Sequence, residues 1–66
     1  MHIIVNGQAK EYTQEMTIHK VLENLSLVGK VMAVAVNMEI VKQDNWTHYT
    51  LHDGDKLELL DFVGGG

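Results

Sequence analysis

The chain has 66 residues, no cysteine and no arginine, and its nine acidic residues against five lysines give a formal net charge of −4. This length fits one small domain, the lack of cysteine excludes a disulfide and a thiolate zinc site, and no apolar run is long enough for a signal peptide or a membrane span. The acidic balance disfavours nucleic acid, and without arginine or a Walker loop no ATP site is expected. The acidic excess favours a basic protein partner, or it only aids solubility, which by itself is the preferred interpretation. The sequence predicts a cytoplasmic protein.

The first predicted element is a β-hairpin. Two strand-like runs, at about 2–6 and 8–12, are joined by Asn6-Gly7. A type I′ turn needs a positive φ angle at both central residues, and asparagine followed by glycine supplies both. The sequence therefore predicts two antiparallel strands joined by this turn.

An amphipathic helix follows the hairpin. Apolar side chains recur at the spacing of one helix face, at Ile18, Val21, Leu22 and Leu25. Thr17 is a fair N-cap, because its hydroxyl can accept a hydrogen bond from a backbone N–H that has no partner within the helix. We predict a helix over about 17–26 that stops before Gly29.

Two strands are predicted after Gly29. Residues 31–37 are rich in β-branched side chains and alternate large ones, at Met32, Val34 and Val36, with small ones, which predicts a strand with one face in the core. A turn near residues 37–39 leads to a short strand at 40–41.

The last part of the chain predicts a polar turn region and a final strand. The polar stretch 42–47 carries Trp46, for which a partial role in the core is the better interpretation. After an Asp-Gly-Asp turn, the final strand runs over 56–63, with Leu57 and Leu59 on one face and Leu60 out of phase with them.

This order of elements predicts an α+β fold. One helix cannot cover both faces of a sheet of four to five strands, so it packs across one face and leaves the other partly open. The order fits the β-grasp, or ubiquitin-like, fold, in which a mixed sheet places the first and last strands side by side and parallel. The predicted core consists of Ile3, Val5, Ile18, Val21, Leu22, Leu25, Val34, Val36, Leu57 and Leu59.

Three glycines, Gly64, Gly65 and Gly66, follow the predicted domain, which spans residues 1–63. Without Cβ atoms they adopt nearly any backbone conformation and pass through a narrow gap, which suits delivery of a carboxylate into a buried site. Fully extended, this tail reaches about 10 Å past Val63. The alternatives are a frayed terminus without function or an expression scar.

A docking patch is predicted on the open face of the sheet. Its apolar residues, at strand positions opposite in phase to the core, are Ile4, Leu60, Phe62 and Val63. The alternative for Phe62 is that it covers the end of the core or packs on Trp46.

The polar turns offer weak signals for metal binding or catalysis. His48 and His52 have the i, i+4 spacing of helical zinc ligands, but the β-like residues between them argue against a helix, so no metal site is predicted. Asp53 and Asp55 flank a glycine in a turn and are interpreted as turn formers rather than an acid–base pair.

Taken together, these features resemble the ThiS family of ubiquitin-like sulfur carrier proteins of thiamine biosynthesis. The resemblance covers the whole length and consists of Asn6-Gly7, Thr17-Ile18, the run 34–37 followed by 39–41, Trp46, the run 52–55 and the ending 62–66. The terminal diglycine of the family corresponds to Gly65 and Gly66, and Gly64 is an additional glycine.

The resemblance implies a carrier rather than an enzyme, which binds no cofactor itself. An E1-like, ThiF-like adenylyltransferase would use ATP to adenylate the carboxylate of Gly66. A persulfide sulfur donor would then displace AMP to leave a thiocarboxylate, and a ThiG-like thiazole synthase would accept the sulfur. Two alternatives stay open: a small subunit of molybdopterin synthase, whose members are typically longer, and a ubiquitin-like modifier or interaction module.

Overall fold

The computed structural model describes residues 1–61 of the chain. The predictions for the end of the final strand, for Phe62 and Val63 and for the glycine tail lie outside the described residues. In chain order the elements are β1 (His2–Val5), β2 (Gln8–Glu11), α1 (Ile18–Asn24), β3 (Val31–Val36), β4 (Glu39–Val41), a 3₁₀ helix (Gln43–Asn45) and β5 (Lys56–Asp61).

The strands form one five-stranded mixed sheet in the order β2-β1-β5-β3-β4. β1 and β5 are parallel, whereas the β1–β2, β3–β4 and β3–β5 pairs are antiparallel. This arrangement confirms the predicted fold, with the first and last strands side by side. β5 is therefore the central strand and has a strand on each side.

Two tight turns have the backbone conformation of type I′ hairpins. Asn6 and Gly7 join β1 to β2 with φ angles of 48° and 83°, as the sequence predicts. Asn37 and Met38 join β3 to β4 with φ angles of 50° and 73°. The position held by Met38 favours glycine, because a side chain is strained at a positive φ.

The helix begins where predicted and ends earlier than predicted. The Thr17 hydroxyl accepts a hydrogen bond from the Lys20 N–H over 3.1 Å, which confirms the N-cap. At the other end Ser26 has a φ angle of 61°. Its N–H donates to the Glu23 carbonyl, and the Leu27 N–H donates to the Leu22 carbonyl, in the pattern of a Schellman motif. A serine in the left-handed conformation therefore stops the helix before Gly29.

The core lies between α1 and one face of the sheet. Its buried side chains are Ile3, Val5, Met16, Ile18, Val21, Leu22, Val31, Val34, Val36, Trp46, Leu51, Leu57 and Leu59, and Leu25 is half-buried against them. Trp46 is 6% exposed, and its indole N–H donates to the Val41 carbonyl over 2.8 Å. The tryptophan is thus a full core member.

The alternation of side chains along β3 is interrupted at its start. The pairing of β3 with β5 shifts register between Val31 and Ala33, which marks a β-bulge. The additional residue reverses the alternation of side chains, so Val31 is 4% exposed and Met32 is 53% exposed.

Candidate functional site

The candidate site is the face of the sheet that α1 leaves uncovered. Residues directly opposite each other on neighbouring strands point to the same side of a sheet. Ala35 lies opposite both Ile40 of β4 and Glu58 of β5, and Leu60 lies opposite Ala33. Glu58 and Leu60 alternate with the buried Leu57 and Leu59 along β5, so they point to the open face. The residues opposite them on the neighbouring strands point to the same side.

The predicted patch residues within the described chain lie on this face but in different parts of it. Ile4 is half-buried and lies beside Lys56 at the start of β5. Leu60 is 54% exposed and lies about 13 Å further along the strand at 3.3 Å per residue. Phe62 and Val63 lie outside the described residues.

Two shallow hollows divide the open face. The first, of about 410 Å³, is lined by residues that include Ile4, Gly7 and Met38. The second, of about 280 Å³, is lined by residues that include Ile40 and Leu60. The open face therefore offers two apolar depressions rather than one continuous patch.

Sequence reasoning missed two exposed residues of this face. Met38 is 89% exposed and Ile40 is 72% exposed. The alternation of strand β4 contained a signal for Ile40, because Val41 next to it is half-buried. No pattern pointed to Met38, which occupies a turn.

The Asn6 carboxamide extends the pairing of β5 beyond the end of β1. Its Oδ1 accepts a hydrogen bond from the Leu59 N–H over 2.8 Å, and its Nδ2 donates to the Leu59 carbonyl over 3.4 Å. Because β1 pairs with β5 only at Ile4 and Val5, this side chain takes the place of a further strand residue. Asn6 thus fixes the strand that leads to the glycine tail.

Replacing Asn6 with glycine is expected to lower the free energy of unfolding by about 1–2 kcal/mol, because two hydrogen bonds to Leu59 are lost. Glycine keeps the positive φ of the turn, so the change isolates the carboxamide. Urea unfolding measures the effect. Asn45→Ala is the control, since Asn45 is exposed and we expect a change within about 0.5 kcal/mol. Equal losses in both variants would contradict this role.

The polar turn before β5 is held by side-chain hydrogen bonds. Asp53 accepts from the His2 N–H over 2.7 Å, and Asp55 accepts from the His52 N–H over 2.8 Å. Asn37 donates from Nδ2 to Asp55 and accepts from the Lys56 N–H, each over 3.0 Å. The two aspartates are turn formers, as the sequence predicts.

The far edge of the sheet carries two groups with shifted pKa values. The Met1 amino group hydrogen-bonds to Glu11 over 2.9 Å and holds the pKa of that carboxyl below its usual value. Burial raises the pKa of the Tyr12 hydroxyl, which donates to the Asn24 carboxamide. Both groups lie in or just after β2, away from the end of β5.

Between residues 1 and 61, no three histidine or acidic side chains are grouped so that they could hold a metal ion. The helices within this range are too short and too polar to cross a membrane.

Comparison with known proteins gives consistent matches. Residues 3–66 match the ThiS family. The chain is 33% identical over 66 residues to the sulfur carrier protein ThiS of Escherichia coli K12, and the match covers all of both chains. It is 35% identical to a thiazole synthase of Paramagnetospirillum magneticum, of which it spans only 20% of the length. The crystal structure of the thiamine biosynthesis protein ThiS from Geobacter metallireducens, 28% identical, superposes over all of both chains with a TM-score of 0.81.

Proposed function

We propose a mechanism for this chain from the premise that it belongs to the ThiS family, the sulfur carrier proteins of thiamine biosynthesis. The carboxylate of Gly66 carries the sulfur as a thiocarboxylate, and Gly64 and Gly65 thread it into the active sites of partner enzymes. The observation that carries this proposal is the full-length match to the sulfur carrier of E. coli, which extends through the three glycines.

Activation of the carboxylate needs a partner enzyme. A carboxylate is a poor acyl donor because its leaving group is poor, so an E1-like, ThiF-like adenylyltransferase uses ATP to form an acyl adenylate and releases pyrophosphate. The terminal sulfur of a persulfide donor then attacks the acyl carbon and displaces AMP, and a thiol cleaves the S–S bond to leave the thiocarboxylate. Glycine at the reacting position minimises crowding, and docking supplies the orientation. ATP belongs to the partner, and the carrier binds no cofactor of its own.

The acceptor of the sulfur is a ThiG-like thiazole synthase. A relative named thiazole synthase carries a segment 35% identical to this chain, which supports this choice. The thiocarboxylate is a sulfur nucleophile, so the tail supplies a reactive sulfur although the chain has no cysteine.

Docking positions the tail, and we assign it to the open face of the sheet. Ile4 and Leu60 lie on this face, and Phe62 and Val63 continue the chain from β5 towards the glycines. We propose that these four residues contact the activating enzyme, since an apolar sheet face that the helix leaves uncovered is typical of a protein interface.

Intact-mass measurement tests the function. The protein is incubated with ATP, an activating enzyme and a persulfide donor, and we expect the mass gain produced when one sulfur atom replaces one oxygen atom. Transfer of this sulfur to purified thiazole synthase supports the proposed acceptor. Transfer only to molybdopterin synthase, or conjugates to lysine without any thiocarboxylate, would contradict it.

Replacing Leu60 with aspartate is expected to weaken binding to the activating enzyme at least about tenfold, because an apolar contact is lost and a charge is desolvated. Gln14→Asp adds the same charge in the loop between β2 and α1 and is the control. Calorimetric titration compares the two variants after circular dichroism has established that both are folded. Equal affinities for both variants would exclude Leu60 from the interface.

A further inference from the structure

Glu58 lies at the centre of the open face. It belongs to β5, the central strand, and lies opposite Ala35 of β3. Its side chain lines both hollows, the one formed with Ile4 and Met38 and the one formed with Ile40 and Leu60. Glu58 therefore lies where the two depressions adjoin.

The folded domain makes no evident use of this carboxylate. Among residues 1–61, the ion pairs involve Met1 or His2 with Glu11 and His19 with Glu23, and none includes Glu58. Its side chain is exposed, and glutamate is a poor strand former. The negative charge of Glu58 therefore adds little to the stability of the domain. Another residue at this position on the central strand would stabilise the fold equally well.

Met38 is a second feature of this face that folding does not explain. It holds a φ angle of 73° at a turn position that favours glycine, and its side chain is 89% exposed beside Glu58 at the first hollow. Backbone strain of this kind is typically retained where a side chain serves recognition. The two unexplained residues line the same hollow.

The charge of Glu58 indicates which kind of partner surface binds the open face. Lys56 lines the same hollow but forms no ion pair with Glu58 among residues 1–61, and the chain contains no arginine, so the cation that pairs with Glu58 is expected from a partner. Guanidinium is the best match, because it binds a carboxylate through two parallel hydrogen bonds and its flat faces pack against apolar side chains. Desolvation by apolar neighbours makes such a pair sensitive to the loss of either member.

We propose, resting on the proposed function, that Glu58 is the electrostatic anchor of the docking face and binds an arginine of the activating enzyme. Apolar side chains of that enzyme fill the two hollows, and Met38 contacts them in the first. Glu58 thus contributes affinity for the enzyme rather than the position of the reacting carboxylate.

The test measures KM for the carrier and kcat of adenylate formation by the activating enzyme at low and high salt. Glu58→Gln is expected to raise KM at least about tenfold at low salt, to leave kcat unchanged and to weaken the salt dependence. Met38→Gly is expected to raise KM as well, while raising the melting temperature because the strained turn is relieved. Glu39→Gln is the matched control, since Glu39 is also an exposed strand glutamate but lies opposite the core residue Val36.

Three outcomes would overturn the inference. The first is the same KM for Glu58→Gln and Glu39→Gln while the wild-type carrier is adenylated normally. This result refutes the anchor and leaves the proposed function intact. The second is a loss of binding to thiazole synthase or of self-association with an unchanged KM for adenylation, which assigns the face to another occupant. The third is a wild-type carrier that the activating enzyme never adenylates, which refutes the proposed function together with the anchor.

Discussion

Deleting Gly66 is expected to lower the rate of thiocarboxylate formation at least about a hundredfold, because reaction falls steeply when the acyl carbon is misplaced by even an ångström. The shortened chain still ends in two glycines, but its carboxylate is withdrawn by about 3.5 Å while the docked domain stays where it was. A loss of activity would therefore show that the length of the tail is required, and not only its glycine content. Intact-mass measurement over time, with ATP, activating enzyme and persulfide donor, gives the rate.

Gly64→Ala is the control for this prediction. It keeps the full length and the final diglycine and adds one methyl group at the start of the tail. We therefore expect it to form the thiocarboxylate at a rate close to that of the wild-type chain. Thermal unfolding of all three proteins establishes that the domain is unchanged. A shortened chain that forms the thiocarboxylate as fast as the full chain would refute Gly66 as the modified residue.

Replacing Leu57 with alanine is expected to lower the free energy of unfolding by about 2–5 kcal/mol, since the change removes buried methyl groups and leaves a cavity. Leu57 is 1% exposed and lies on the central strand, where its neighbours in the sheet are Val5 and Val36. A domain of this size has a total stability of about 3–10 kcal/mol. Urea unfolding followed by tryptophan fluorescence measures the loss, because Trp46 belongs to the same core.

Leu60→Ala is the matched control on the same strand. Leu60 is 54% exposed on the opposite face, so we expect its truncation to change the free energy of unfolding by no more than about 0.5 kcal/mol. This pair of leucines separates the stabilising face of β5 from its open face. Similar losses in the two variants would contradict that division.

The fold was largely predictable because its strongest signals are local. Asn6-Gly7 determines the first turn, and the apolar spacing from Ile18 to Leu25 determines the helix face. The helix end was mislocated because Ser26 adopts a conformation that usually requires glycine. The exposure of Met32 and the burial of Val31 were not predictable, because a bulge depends on how β3 pairs with β5 and not on the alternation of β3 alone.

The candidate site was only partly predictable. Alternation placed Ile4 and Leu60 on the open face, whereas the exposure of Met38 depends on the conformation of a turn. The pairing of Asn6 with Leu59 joins residues more than fifty positions apart in sequence, so no local pattern reveals it. The central position of Glu58 likewise follows from the strand order rather than from its neighbours in the chain.

The position of β5 between β1 and β3 determines how the domain responds when its tail is pulled. Hydrogen bonds between strands run roughly perpendicular to the strand axis. Tension applied to β5 along that axis loads the bonds on both of its flanks in shear and at the same time. A strand at the edge of a sheet, pulled away from its neighbour, would unzip one bond after another. Withdrawing β5 from the sheet along its axis would therefore require the bonds on both flanks to break together.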